Sequence, residues 1–340
     1  MTLCLIDVPV RSRRSVLASA AAVALITTAG MLAPQAEAQP KPFPSKPVRI
    51  IVPYTAGGAS DVLARILGDQ LQQEWGEPVI VENRPGASAA IGTDHVVKSD
   101  PDGYTLMISD LGTLTIGPSI YDNLRFDVER DLAPIAILTS SPYLVTVNPK
   151  LPVHSLKELL DYSRANPTKL NYASSGIGTN PHMAGLLFAT RLGLEWTYIP
   201  SKGGSQAILD VMSGQADLMF NSAFSTSSFV KGGKLRLIAV STPKRLADYP
   251  DVPSIAEVLP DYNTGAFQAL FARAGTPPDV IARINQDVVR ILAKPGVKEQ
   301  LKGLGAEPYG STPGEMRQFV REDRQRWATL VKDLKFKIER

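Results

Sequence analysis

Arg49-Ile50-Ile51-Val52-Pro53-Tyr54-Thr55-Ala56-Gly57-Gly58-Ala59-Ser60-Asp61 is an apolar run that ends in a loop of small residues. Val62, Leu63, Ile66, Leu67 and Leu71 follow at helical spacing. The order is strand, glycine-bearing loop, helix. It recurs at Leu170-Asn171-Tyr172-Ala173-Ser174-Ser175-Gly176-Ile177-Gly178-Thr179-Asn180-Pro181-His182, where Met183, Leu186, Leu187 and Phe188 continue the helix. A helix start fed by such a loop leaves backbone N–H groups free for an anion. Two such starts, one on each of two lobes, predict a grip on the two ends of a small carboxylate.

Working outward, each junction sits in an alternation of strands and helices. Strands are expected near 48–53, 78–81 and 104–109, with helices near 60–74 and 87–97 between them. That order favours a parallel sheet with helices on both faces. Further strands are expected at Ala133 to Thr139 and Leu144 to Val147, separated by Ser140-Ser141-Pro142. Ser155 and Glu158 form a capping box for a helix from Leu156 to Ala165. A second alternation runs through strand 170–173, helix 180–192, strand 196–199, helix 203–213, strand 217–220 and helix 223–230. The strand Leu235 to Val240 is expected to lead back to the first lobe, followed by a strand at 266–272 and helices at 277–293 and 312–335. The expected fold is therefore α/β with two lobes, each a mostly parallel sheet flanked by helices, and a ligand cleft between them. Lobe 1 spans 39–141 and 244–340; lobe 2 spans 142–243.

The first 38 residues read as an export leader. Arg11, Arg13 and Arg14 precede an apolar stretch from Val16 to about Ala33, and Ala36-Glu37-Ala38 gives a small-x-small cleavage site. Ser12-Arg13-Arg14-Ser15-Val16-Leu17 also resembles a twin-arginine motif. The other reading is an uncleaved anchor, since about 18 apolar residues reach the bottom of the spanning range. The single cysteine, Cys4, falls inside the leader. A mature chain of about 300 residues would then lack thiolate metal sites and disulfides, and that length favours two lobes over one. A net charge of +3 is too mild for a nucleic-acid footprint.

The candidate binding residues are Tyr54, Thr55, Ala56, Gly57, Gly58, Ala59, Ser60 and Asp61 in the first loop, and Ser174, Ser175, Gly176, Ile177, Gly178, Thr179 and His182 in the second. Asn221, Phe224 and Ser222 follow the strand near 217–220, and Phe224 is expected to wall the cleft. Gly57-Gly58 permits positive φ and close approach of a ligand; the plainer alternative is a βα turn that binds nothing. Asn180 is the expected N-cap of the second helix, with Pro181 at its first position. His182 has two readings, a hydrogen-bond donor in the cleft or a helix-capping side chain. Gly176-x-Gly178-x-x-Pro181 lacks the third glycine of a dinucleotide fingerprint. No G-x-S-x-G elbow is present, and His95, His154 and His182 lack metal-ligand spacing. No catalytic residue, metal or cofactor is expected.

Several marks together resemble the Bug family, the solute receptors of tripartite tricarboxylate transporters. They are Lys46-Pro47-Val48-Arg49-Ile50-Ile51-Val52-Pro53, Ala56-Gly57-Gly58-Ala59-Ser60-Asp61, Val81-Glu82-Asn83-Arg84-Pro85-Gly86-Ala87, Pro101-Asp102-Gly103-Tyr104-Thr105-Leu106, Asp217-Leu218-Met219-Phe220, Asp251-Val252-Pro253-Ser254-Ile255 and Ala274-Gly275-Thr276-Pro277-Pro278. The resemblance runs from about Phe43 to Leu334. It implies a monomeric periplasmic flytrap whose residues 54–61 and 174–182 hold the carboxylate of a small organic acid, an amino acid or an aromatic acid, for delivery to membrane subunits. The chain departs from the family pattern at Ser201, Phe267-x-Ala269 and Arg273, and its loop Pro85-Gly86-Ala87-Ser88-Ala89-Ala90 lacks a usual extra glycine. A sensory receptor and an enzyme on the same scaffold are the rival readings.

Overall fold

The apolar run of the first junction forms β1 (Val48–Val52). It lies between two parallel neighbours, β2 (Val79–Asn83) and β3 (Thr105–Asp110). Burial of Val48, Ile50, Ile51 and Val52 is what a central strand covered on both faces requires. Helix α1 (Ala59–Trp75) buries Leu63, Ala64, Leu67 and Leu71 along one stripe, and Gly76, at φ +71°, ends it. Helices α2 (Ala90–Val97), α3 (Leu111–Ile120) and the single turn α4 (Val128–Asp131) lead to β4. The computed structural model describes residues 42–121, 124, 126–334 and 336; the expected leader lies outside them.

β4 (Leu132–Val147) is one strand of 16 residues, not two. From Leu132 to Pro142 it pairs antiparallel with β9 (Gly265–Arg273). From Tyr143 to Val147 it pairs with β7 (Leu218–Ser222) and β8 (Arg236–Val240). Ser140-Ser141-Pro142 reads as a break because proline cannot donate to a ladder. Here it marks the transfer of the strand from one set of partners to the other. At that point a Cβ on Gly265 would sit 3.0 Å from the Ser141 carbonyl oxygen, so the backbones meet closely.

The second alternation supplies α5 (Leu156–Ala165), β5 (Asn171–Ser174), α6 (Asn180–Arg191), β6 (Thr197–Pro200), α7 (Gly204–Ser213), β7, α8 (Ala223–Lys231) and β8. β8 stays paired with β4, so it is β9 that returns to the first sheet. α9 (Pro278–Ala293), α10 (Pro295–Gly303), β10 (Glu307–Pro308) and α11 (Pro313–Asp333) complete the chain. The strand order is β2-β1-β3-β9-β4-β7-β5-β6, with β8 and β10 paired to β4 off that path. The expected parallel pairing holds for β1–β3 and for β5–β7, whereas β4, β8, β9 and β10 pair antiparallel. Each sheet is thus mixed, because the strands that pass between the halves run in opposing directions.

The two largest apolar clusters lie one on each sheet. One gathers Ile50, Leu63, Leu67, Leu106, Leu270 and Ile284 on the first sheet. The other gathers Tyr143, Leu159, Tyr172, Phe188, Phe220 and Tyr262 on the second. Each fully buried side chain of this size contributes about 1.5–3 kcal/mol. Trp327 and Val331 of α11 pack with Ile116, Ile120 and Met183, joining α3 to α6.

Candidate functional site

The strand ends converge on a cavity of about 40 Å³. Tyr54 and Ala59 reach it from the first loop, Asp110 and Thr113 from the β3–α3 junction, and Pro181 from the start of α6. Gly204, Asn221, Ser222 and Ser225 come from the second half, Tyr143 from β4, and Ala266 and Gln268 from β9. Crevices at the carboxyl ends of such strands are where open α/β sheets bind ligands.

The first loop is wired more tightly than expected. Gly57, at φ +81°, donates its N–H to Asp61 Oδ2 at 2.8 Å, so that amide is not free. Asp61 is turned inward and buried, and also receives Arg65 and Asn83. Burial pushes its carboxyl up, but the hydrogen bonds from Arg65, Gly57 and Asn83 outweigh this and hold it below the usual range. The Ser60 hydroxyl likewise points inward and donates to Gln268 Oε1 at 2.6 Å. Thr55 Oγ1 meets Ser205 Oγ at 2.8 Å, and Tyr54 Oη meets Ser109 Oγ at 3.2 Å. The amides of Gly58, Ala59, Ser60 and Asp61 have no partner among the described residues, and no side chain caps α1. Unpartnered amides at a helix start carry partial positive charge, which favours an anion beside them.

The second loop divides its residues between two places. Pro181 reaches the central cavity. Ser175, Gly176 and Ile177 instead line a separate cavity of about 310 Å³, together with Gly86–Ala89, Tyr121 and Pro200–Lys202. There Ser88 Oγ and Tyr121 Oη each donate to the Ile177 carbonyl at 2.7 Å. Ser174 Oγ pairs with Tyr198 Oη at 2.9 Å, and Thr179 Oγ1 donates to the Gly176 carbonyl at 2.7 Å. The Gly178 N–H is already used, donating to His182 Nδ1 at 3.0 Å. His182 is therefore a buried acceptor that ties the loop to the helix. Its ring lies 4.1 Å from that of Tyr198, and burial holds its pKa down at about 4, leaving it neutral. Thr179, not Asn180, is the N-cap of α6. Asn180 instead crosses to the other half, where its N–H reaches Thr113 Oγ1 and its Nδ2 reaches the Gly265 carbonyl.

Asn221 lines the central cavity, its Nδ2 donating to the Gly204 carbonyl at 3.1 Å. Phe224 does not wall this cavity; it packs in the first core with Leu138 and Ile135. Asp110, Thr113, Tyr143, Ser205 and Gln268 were not singled out from the sequence. The Asp110-x-x-Thr113 spacing after a strand is a readable capping signal. Tyr143 and Gln268 carry no local signal, since only the sheet topology brings them here. Asp110 is buried, and burial pushes its carboxyl up to about 7, although the backbone and hydroxyl of Thr113 both donate to it. Among the described residues no group of three or more His, Cys, Asp or Glu side chains is placed to hold a metal.

Residues 63–336 match the family model described as the tripartite tricarboxylate transporter family receptor. The chain is similar to Protein BugT of Bordetella pertussis, with 33% identity over 316 residues, 92% of this chain and 96% of that one. It is also similar to the solved structure of R. palustris Rpa4515 with adipate, at 30% identity and a TM-score of 0.84, covering 87% of this chain and all (100%) of that one. MatC from Rhodopseudomonas palustris, with bound malate, is 30% identical with a TM-score of 0.81, covering 85% of this chain and 100% of its own.

Proposed function

The chain belongs to the tripartite tricarboxylate transporter receptor family, and from that premise we propose that it captures a small organic acid between its two halves in the periplasm. The observation that carries this reading is the row of unpartnered amides from Gly58 to Asp61, with Ala59 at the wall of a cavity shared by both halves. A carboxylate there receives charge-assisted hydrogen bonds worth about 1.5–3 kcal/mol each. The adipate and malate complexes of the two neighbours support a small organic acid as the ligand.

The halves move on β4 and β9, with lobe limits at 39–141 with 244–340 and at 142–243. Contacts such as Thr55–Ser205 and Asn180–Thr113 hold the closed form, and the ligand shifts the population by its preference for it. The leader is removed near Ala38, and the closed monomer delivers its cargo to membrane subunits without turning it over.

Calorimetry on the mature chain with mono-, di- and tricarboxylates tests this. The expected result is binding of one acid per chain with no turnover. Ala59→Pro sharpens the test. It deletes one of the free amides at the first helical position, where proline is well tolerated, and Gly58 already has the extended conformation that proline demands of its predecessor. The variant keeps its melting temperature and loses affinity about tenfold or more. Turnover of the acid, or unchanged affinity in the variant, contradicts the proposal.

A further inference from the structure

The central cavity carries an acid that capture of a carboxylate does not explain. Asp110 is 8% exposed, lines the cavity, and caps α3 by accepting from Thr113 N at 3.0 Å. Among the described residues the charged group acting on it is Asp323, of like sign and itself paired with Arg326 at 2.8 Å. Among the described residues Asp110 forms no ion pair with a cation. A second observation lies on the same wall. Tyr143 is 1% exposed, and its hydroxyl has no partner among the described residues. Tyr143 lines the same cavity, and its hydroxyl feels the Asp110 charge. A buried carboxyl without a counter-ion and an orphaned hydroxyl are both costly unless something enters to meet them.

A guest that is only anionic would meet like charge here. The cavity has a donor side, the amides at the start of α1, and an acceptor side, the Asp110 carboxyl. That pairing of opposite demands matches a zwitterion. We propose that Asp110 is a specificity-determining residue that selects acids carrying an ammonium group: the ammonium pairs with Asp110 while the α1 amides take the carboxylate. The inference rests on the receptor reading above and narrows its ligand class. Tyr143 supplies a hydroxyl that completes the shell around the guest. Burial, together with the like charge of Asp323, holds the Asp110 carboxyl up at about 7.

The test is calorimetry on the mature chain with acids matched in carbon skeleton: succinate and aspartate, glutarate and glutamate, butanoate and 2-aminobutanoate, 3-phenylpropanoate and phenylalanine. In every pair that binds, the amino member is expected to bind about tenfold tighter or more. Near neutral pH its binding releases a proton, because the ammonium favours the ionised carboxyl. Asp110→Asn keeps an oxygen to cap α3 and loses the preference within each pair. Should that variant not fold, Asp110→Ser, also a capping residue, gives the same reading. Equal or tighter binding of the unsubstituted members, or proton uptake on binding, overturns the inference and leaves the receptor reading standing. Binding of no acid in the panel overturns both.

Discussion

At the scale of single residues, two buried titratable groups beside the site pull the pH dependence of stability in opposite directions. Asp110 titrates at about 7 when folded, against an unfolded value of about 3.9. Its contribution is complete below about pH 4 and is lost as pH rises toward 7, at about 1.4 kcal/mol per unit. His182 titrates at about 4 when folded, against about 6.5 unfolded. Its contribution is complete above about pH 6.5 and is lost as pH falls through 4. Denaturant melts across this window are expected to show that Asp110→Asn steepens the loss of stability in acid, and that His182→Gln lessens it. A pair of variants with profiles parallel to the unmodified chain contradicts these assignments. The loop residues themselves were legible in the sequence, because Gly57, Gly58, Gly176 and Gly178 announce turns. Their wiring was not, because it depends on which way Asp61, Ser60 and His182 turn their side chains.

At the scale of elements, the loop before α6 is held by a glycine that admits no replacement. Gly178 has φ +73°, and an added Cβ would lie 2.0 Å from Ile120 Cδ1. Gly178→Ala adds about 1–2 kcal/mol of left-handed strain and about 1–3 kcal/mol of overpacking. Its melting temperature is expected to drop by several degrees, and Gly178→Pro, which cannot adopt this φ, fares worse. Proline at this position therefore tests folding and not ligand binding. The loop before α2 shows the reverse. Ala87, Ser88 and Ala89 all have positive φ, at 46°, 50° and 73°. Ala87→Gly removes strain at an exposed position and raises the melting temperature, although glycine usually destabilises. A lower melting temperature would mean that the loop gains from its alanine. The helices here were legible from their caps and periodicity. The unbroken β4 was not, because Ser140-Ser141-Pro142 reads locally as a turn and acts globally as a crossing between sheets.

At the scale of the whole molecule, two lobes were legible from the repeated strand–loop–helix order and from chain length. The mixed pairing of each sheet was not, since the direction in which β4 and β9 cross is set by long-range topology. The same topology delivers Tyr143 and Gln268 to a cavity whose other walls come from both halves. Closure over an acid that binds only the shut form stabilises the chain by about 2.7 kcal/mol at a hundredfold excess over Kd. A crystal structure of the chain with the acid that binds it most tightly is the most direct measurement of the central claim. The account predicts a guest carboxylate within hydrogen-bond distance of the amides from Gly58 to Asp61, with Asn221 and Pro181 closing over it from the other half. A guest seated elsewhere, such as the hollow of about 590 Å³ lined by Phe267 and Arg326, with those amides unengaged, contradicts it.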